Sequence, residues 1–593
     1  MLTPDGFALA PLWVQLGAIF AGSAVVILLF WPLVGSLSLS YRLFSDPSSY
    51  ADAETFQELL FGFFQVGCGL ILFSFVISVL SAALEQLIER IRGGTRPYRK
   101  RGHLLIVNRN SKLPLILDEI DERYRLLGRA VDVVLLLRDR AEVQAFADAT
   151  ELERWPYLHL YVRQGDLLSF ETYRHVSIFS AFGVVVLSGQ GEETEFQQDN
   201  LNLKILTTLV NETAFSRHLA EHQQQHRPIK CAIELSSQMQ SRAIAQSLTL
   251  HGREPLFSVA TPGDVIGRVL SRSVIDIVYY KIYSEVFSFD GHSVYFVNPG
   301  RFAAQGLRPG RKFEELCRGF TRGVLIGYSH AGEGELQIQL APVGRPLAAG
   351  DWLLVIARSA DAVNFENVPI RPTADPALVR EPTEVQRRSI CVIGEARSFE
   401  QLESFLHVES RSGLLDSRLV FADPKDYFDP ALIARLRRGN FDNVIVNLED
   451  ELSFRFTLFL LTHFTPGDPF LNKVVTVLKN PVIEELLNRN SKYRNTILSD
   501  KLAAKYITQL SFQKNLEKVY DELSAPEGSE FNLLEVDTHI PRALLTTKQE
   551  VKDLLLTRGI IYVGTVDAEG EIHFDADDFA GVRQLMVISR GEV

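Results

Sequence analysis

The feature that most limits what this chain can fold into is a pair of uncharged apolar stretches near its amino terminus. No charged residue occurs from Gly6 to Tyr41, and Leu12 to Leu37 is almost wholly apolar. A second uncharged stretch runs from Leu59 to Leu84. Each is longer than the roughly 20 residues that a helix needs to cross the hydrocarbon core of a bilayer. The first is too long for the apolar segment of a signal peptide and has no positive residues before it. Arg42, Asp46, Asp52, Glu54 and Glu58 lie between the two, and Arg90, Arg92, Arg96, Arg99, Lys100 and Arg101 follow the second. Positive residues flanking a span stay in the cytoplasm. The expected topology is therefore a multi-pass cell-membrane protein with two spans, at about 12–37 and 62–84. Both termini and everything beyond residue 93 would be cytoplasmic. Later apolar runs, such as Val131–Leu137 and Phe182–Leu187, have strand length.

The remainder of the chain reads as globular. At 593 residues it is too long for one core. A net charge of −12 argues against nucleic-acid binding. Cys68, Cys231, Cys317 and Cys391 are far apart, which fits a reducing compartment rather than a disulfide framework. There is no Gly-x-Ser-x-Gly, His-Glu-x-x-His or Walker loop, so an enzyme is not expected. His218, His222 and His226 recur every four residues in a very polar context and read as a solvated helix face.

After Arg101 the pattern becomes alternating strands and helices. HLLIVN (103–108), VDVVLLL (131–137), YLHLYVRQGD (157–166), AFGVVVLS (181–188) and IKCAIELS (229–236) read as buried strands. Helices are expected at 111–128, capped by Ser111, at 141–152 and at 200–214. That alternation predicts an α/β fold with a doubly wound parallel sheet. The same grammar returns at 389–394, 417–423, 441–448 and 472–479. The expected architecture is an α-helical membrane segment followed by two tandem Rossmann-like units, each with a small α+β appendage. The divisions are 1–93, 102–290 with its appendage 291–362, a proline-rich linker 363–388, then 389–530 with its appendage 531–593.

Three segments carry a resemblance to a known family. GHLLIVNRNSKLPLILDEI (102–120), GDVIGRVLSRSVIDIVYYKIYSEVFSFDGHSVYF (263–296) and ILSDKLAAKYITQLSFQKNLEKVYDELSAPEGSEFNLLEV (497–536) are similar, in order, to segments of the Castor/Pollux ion channels. The cytoplasmic part of those channels is built of paired RCK domains, regulators of potassium conductance. The resemblance implies a homotetrameric cation channel with a gating ring of RCK domains under the membrane. Its partners would be further copies of the chain, membrane lipid and permeant cations, and calcium would be a candidate ligand of the ring. The alternative is a non-conducting, membrane-anchored RCK sensor or transporter subunit.

Two sets of site residues follow. The candidate pore residues are Gln65, Val66, Gly67, Cys68 and Gly69, with Glu54 and Glu58 at the outer mouth. ADAETFQELLFGFF (51–64) stands where a pore helix would be. Val66, Gly67 and Gly69 match the glycine alternation of a potassium filter, whose backbone carbonyls face the ion. However, Leu70-Ile71-Leu72-Phe73 follows at once, with no polar turn. A helix starting at Leu70 has 15 uncharged residues, about 22 Å, whereas one starting near Gly62 has 23 and about 34 Å. The helical reading makes the two glycines close-packing or bending points of that helix.

The cation candidates lie in GQGEETEFQQDN (189–200), where the family has an acidic loop. They are Glu192, Glu193, Glu195 and Asp199, with Asp264 as a further member. Calcium wants several carboxylate oxygens on a pliable loop. Phe196 stands where the family has an acid. Dinucleotide binding is not expected: NRNSKLP (108–114) has no glycine after the first strand, and the second unit has only Gly394 there. Asp139 and Asp423, just after each second strand, read as loop acids.

Overall fold

The computed structural model describes residues 12–53, 55–92, 94, 96–149, 154–189, 194–225, 228–237, 239–251, 254–331, 336–368, 375–379, 386–394, 415–421, 428–464, 468–491, 493, 495–525 and 528–590. It divides into two compact units, one of residues 1–97 with 139–149 and one of residues 98–138 with 150–593.

The first unit contains α1 (Leu12–Phe30), α2 (Leu37–Ser45) and α3 (Phe56–Arg92), with a helix at Arg140–Ala149. α1 and the stretch Phe56–Leu84 of α3 are long and apolar enough to cross a membrane. The first span ends earlier than expected, at Phe30 and not near residue 37. Pro32 cannot continue the hydrogen-bond ladder, and Gly35 takes a φ of 79°. Ser36 then starts α2, its side chain accepting from the Leu39 N–H at 3.1 Å.

The expected pore helix at 51–64 does not form as a separate element. Residues 47–52 make a 3₁₀ turn, and a single uninterrupted helix begins at Phe56. Its start is a reciprocal cap. The Glu58 carboxylate accepts from the Thr55 N–H, and the Thr55 hydroxyl accepts from the Glu58 N–H, both at 3.2 Å. No proline interrupts the next nine turns.

Among the described residues the second unit holds two parallel sheets, two four-stranded antiparallel sheets and two short two-stranded antiparallel pairs. β1 (Leu104–Val107), β2 (Val131–Leu137), β3 (Leu158–Gln164), β4 (Gly183–Val186), β5 (Lys230–Glu234) and β6 (Ser258–Ala260) form the first sheet in the order β3-β2-β1-β4-β5-β6. All of its pairings are parallel. Order reverses between β1 and β4, which opens a crevice beyond their carboxyl ends. α4 (Leu113–Leu126), α5 (Glu195–Asn211), α6 (Thr213–Gln224) and α7 (Pro262–Ile275) belong to this half. β7 (Ser293–Val297), β8 (Val324–Ala331), β9 (Leu336–Leu340) and β10 (Trp352–Ala357) make an antiparallel sheet ordered β9-β8-β10-β7.

The second half repeats this plan. β11 (Gln386–Gly394), β12 (Leu415–Phe421), β13 (Asn443–Asn447), β14 (Val474–Leu478) and β15 (Thr496–Leu498) form a parallel sheet ordered β12-β11-β13-β14-β15. β16 (Ser529–Glu535), β17 (Ile561–Asp567), β18 (Ile572–Phe574) and β19 (Val582–Arg590) close the chain as an antiparallel sheet. Between these sheets runs α8 (Ser499–Phe512), in which every described residue from Ser499 to Ser511 except Lys501 is buried.

Gly67 and Gly69 carry a test of this reading of α3. A methyl group at Gly69 would strike the Phe44 carbonyl oxygen at the end of α2, whereas one at Gly67 would meet nothing within 4 Å. Gly69→Ala is expected to destabilise the detergent-solubilised protein by about 1–3 kcal/mol through overpacking. Gly67→Ala should be neutral, or stabilising by up to about 1 kcal/mol through helix propensity. Thermal unfolding of both variants decides; equal shifts would contradict this packing.

Candidate functional site

The crevice at the switch point of the first sheet is built on a loop without glycine. Asn108, just past β1, adopts a left-handed φ of 72°, which asparagine tolerates better than most residues. Asn110 then folds over Lys112, its Oδ1 accepting from the Lys112 N–H at 3.1 Å. These turns aim two donors at Glu234, the last residue of β5. Asn110 Nδ2 lies 2.9 Å from Glu234 Oε2, and Lys112 Nζ lies 2.9 Å from Oε1. The Ser188 N–H, at the end of β4, donates to Oε2 at 3.0 Å. The Glu234 side chain is 4% exposed. The chain's own carboxylate thus takes the donors that a ligand phosphate would use at such a switch point.

Charge is balanced across the two halves. Burial alone would lower the Lys112 pKa, but Glu234 and Asp500 reverse that and hold it above the usual lysine value. Ser111, expected as a helix cap, instead donates to Asp500 Oδ2 at 2.6 Å, and α4 starts after Lys112 without a side-chain cap. Asp500 belongs to α8, so a residue of the second half completes the crevice of the first. Beside these groups opens a cleft of about 420 Å³. Lys112, Glu195, Asp199, Glu234 and Asp500 line it, and Asn447 and Lys479 close it from the second parallel sheet.

The predicted cation residues are distributed unevenly. Glu192 and Glu193 lie outside the described residues, as does Glu54 in the membrane segment. Glu195 and Asp199 both reach the cleft. Asp199 is buried and occupied: its carboxylate accepts from the Ser236 N–H at 2.8 Å and from the Ser236 hydroxyl at 2.6 Å. Asp264 does not line the cleft and lies 3.9 Å from Arg242. Among the described residues, no three His, Cys, Asp or Glu side chains gather as a metal site. Asp139 caps the helix that follows it, its Oδ1 accepting from the Glu142 N–H at 2.9 Å; Asp423 lies outside the described residues.

The pore candidates occupy five consecutive positions inside α3. Gln65 is fully buried and donates through Nε2 to the Ser40 carbonyl at 2.8 Å and to the Ser40 hydroxyl. Val66, Gly67 and Cys68 are half-buried and Gly69 is buried. The segment is helical, so its carbonyls bond along the helix and do not line a path as an extended filter would. Glu58 is the one mouth acid described.

Sequence reading missed Lys112, Glu234 and Asp500. A signal was present: an acid ending the otherwise apolar run of β5, and a lysine in place of the expected glycines.

Comparison with known proteins places these features. The chain is 22% identical over 576 residues to the probable ion channel SYM8 of Pisum sativum, covering 86% of this chain and 61% of that one. Lotus japonicus channels named CASTOR and POLLUX match at 20% and 22%. The chain is similar to Castor/Pollux-type ion channels. These Castor/Pollux-type relatives are channels and not enzymes, and the chain spans about three-fifths of SYM8's length. The gating ring of human SLO3 superposes at a TM-score of 0.54 with 12% identity, covering 83% of this chain and 99% of that one. That likeness shows the fold, a tandem pair of Rossmann-like units. A structure of the GsuK channel bound to NAD aligns over 98% of the chain at a TM-score of 0.41, too distant to carry its ligand across. No family model matches the chain.

Replacing Glu234 by Ala would strand Lys112 and two further donors in a buried site. Such a change is expected to cost about 3–5 kcal/mol. Urea unfolding of the whole protein checks it, and a loss below about 1 kcal/mol would contradict the role assigned to this carboxylate.

Proposed function

We propose that the chain is the pore-forming subunit of a ligand-gated, homotetrameric cation channel, with its RCK pair as a cytoplasmic gating element. The observation that carries this reading is the join between α3 and the paired units. A helix of membrane length runs to Arg92, and β1 begins at Leu104 with only residues 93–103 between them. A short connection transmits displacement that a long flexible one would absorb. Similarity to Castor/Pollux-type channels over most of the chain supports the same reading.

In this proposal both spans cross the membrane, the termini and RCK pair are cytoplasmic, and a ligand biases two ring geometries by binding one better. Calcium is the candidate ligand. Glu195 and Asp199 in the cleft, with the acidic segment before them, are where it would act. The crevice of the first unit, closed internally by Glu234, is not assigned to a dinucleotide.

A second reading is favoured by one observation. Residues 65–69 are helical, so α3 offers no extended filter. The chain would then be a non-conducting sensor anchored by two helices.

Flux from liposomes separates the two. The channel reading predicts cation flux, with K⁺, Na⁺ and Cl⁻ measured in parallel and with calcium present or absent. No flux of any ion under any condition would favour the sensor. Glu54→Gln with Glu58→Gln should lower cation flux by roughly twofold or more at low salt, since acids at a mouth concentrate cations. The effect should fade near 1 M salt, where the screening length is about 3 Å. Gln keeps the reciprocal cap with Thr55, so the start of α3 is preserved. Unchanged flux would mean that these acids are merely exposed.

A further inference from the structure

The amino-terminal edge of the first parallel sheet, opposite the crevice, carries a second recess. The Gly102 N–H donates to the Ser180 carbonyl at 2.8 Å, the Phe182 N–H to the His103 carbonyl at 3.0 Å, and the Lys230 N–H to the Phe182 carbonyl at 3.2 Å. Those bonds gather the starts of β1, β4 and β5 around a recess of about 530 Å³. Arg101, Lys230 and His222 supply its polar lining; Phe179, Phe182 and Ile229 supply much of the rest. No carboxylate is among its described lining residues.

The charges here are not balanced from within. Burial depresses the Lys230 pKa, and the next influence is a further cation, Arg123, which lowers it more. The Arg123 guanidinium stacks over Phe289 at 4.4 Å and Phe512 at 4.5 Å. Arg123 lies behind the recess and not in its lining; the lining itself brings Arg101, Lys230 and His222 together with no carboxylate among its described residues, which makes it complementary to an anion. His222 Nδ1 lies 3.0 Å from the His218 carbonyl, an arrangement that makes Nδ1 the donor and leaves Nε2 for a ligand.

We propose that this recess binds a phosphate-bearing anion, held by Arg101, Lys230 and His222. Two sources of phosphate fit that chemistry, a phospholipid headgroup and a free phosphate. The chain path favours the headgroup. Arg101 follows Arg92, the last residue of α3, by nine positions, a reach of at most about 32 Å when extended. Arg96 and Arg99, exposed on the same connection, are of the sign that anionic leaflets attract. Only this choice of source rests on the membrane reading; binding of phosphate itself does not.

The test uses the whole protein in neutral detergent, titrated calorimetrically with inorganic phosphate and, separately, with short-chain phosphatidylglycerol. Saturable binding of at least one is expected. Arg101→Glu and Lys230→Gln should each weaken it by about tenfold, the scale of one lost charge-assisted hydrogen bond. Arg358→Gln, an exposed cation elsewhere, should change it by less than about twofold. Saturation by the lipid alone identifies the headgroup as the source, and saturation by both identifies a site open to soluble phosphate. Absence of saturable binding by either, or binding that Arg101→Glu leaves unchanged, overturns the proposal. Arg101 is exposed, so that variant reads binding and not folding.

Discussion

The burial of α8 between two parallel sheets is the constraint on which the second unit depends. Its side chains reach into both halves. Lys505 Nζ donates to the Ser284 carbonyl at 2.9 Å and to its hydroxyl at 3.0 Å, and Gln509 Nε2 donates to Ser293 Oγ at 3.0 Å. Asp500 completes the crevice beside Lys112. Removing one partner while the halves stay packed would leave a buried group unpaired, a cost of about 1–3 kcal/mol each. Arg272 of α7 and Glu530 of β16 add a second buried pair between the same halves. The two Rossmann-like units are thus packed as one interlocked body.

That interlock explains which parts of the sequence could be read. β2 matched its expected span, Val131–Leu137, because a strand buried on both faces is a continuous apolar run. The helix around 499–512 was part of a segment resembling the channel family, but its burial was not legible. Asp500, Lys505, Thr508 and Gln509 look like a solvent face until the other half of the molecule supplies their partners. Glu234 was hidden for the same reason, since its donors come from loops after two other strands. The end of α1 and the existence of α2 turned on Pro32, Gly35 and Ser36, three residues whose local chemistry outweighs the apolar run around them.

The membrane segment shows how a motif can mislead. Gln65-Val66-Gly67-Cys68-Gly69 has the glycine spacing of a potassium filter, yet all five residues lie inside one helix, and two of them make its packing contacts. Gln65 ties α3 to Ser40, and Gly69 lets α3 approach Phe44. A second span has to start by about Gly62 to cross a bilayer, and α3 meets that requirement. The helix starts still earlier, at a cap formed by Thr55 and Glu58.

A channel built from two spans per chain needs several chains around one pore, so assembly is the most direct test of the proposed function. The measurement is the mass of the detergent-solubilised protein by mass photometry, corrected for bound detergent. Four copies of the 66.7 kDa chain, about 267 kDa, are predicted. A monomer or dimer as the only species would contradict a fourfold pore.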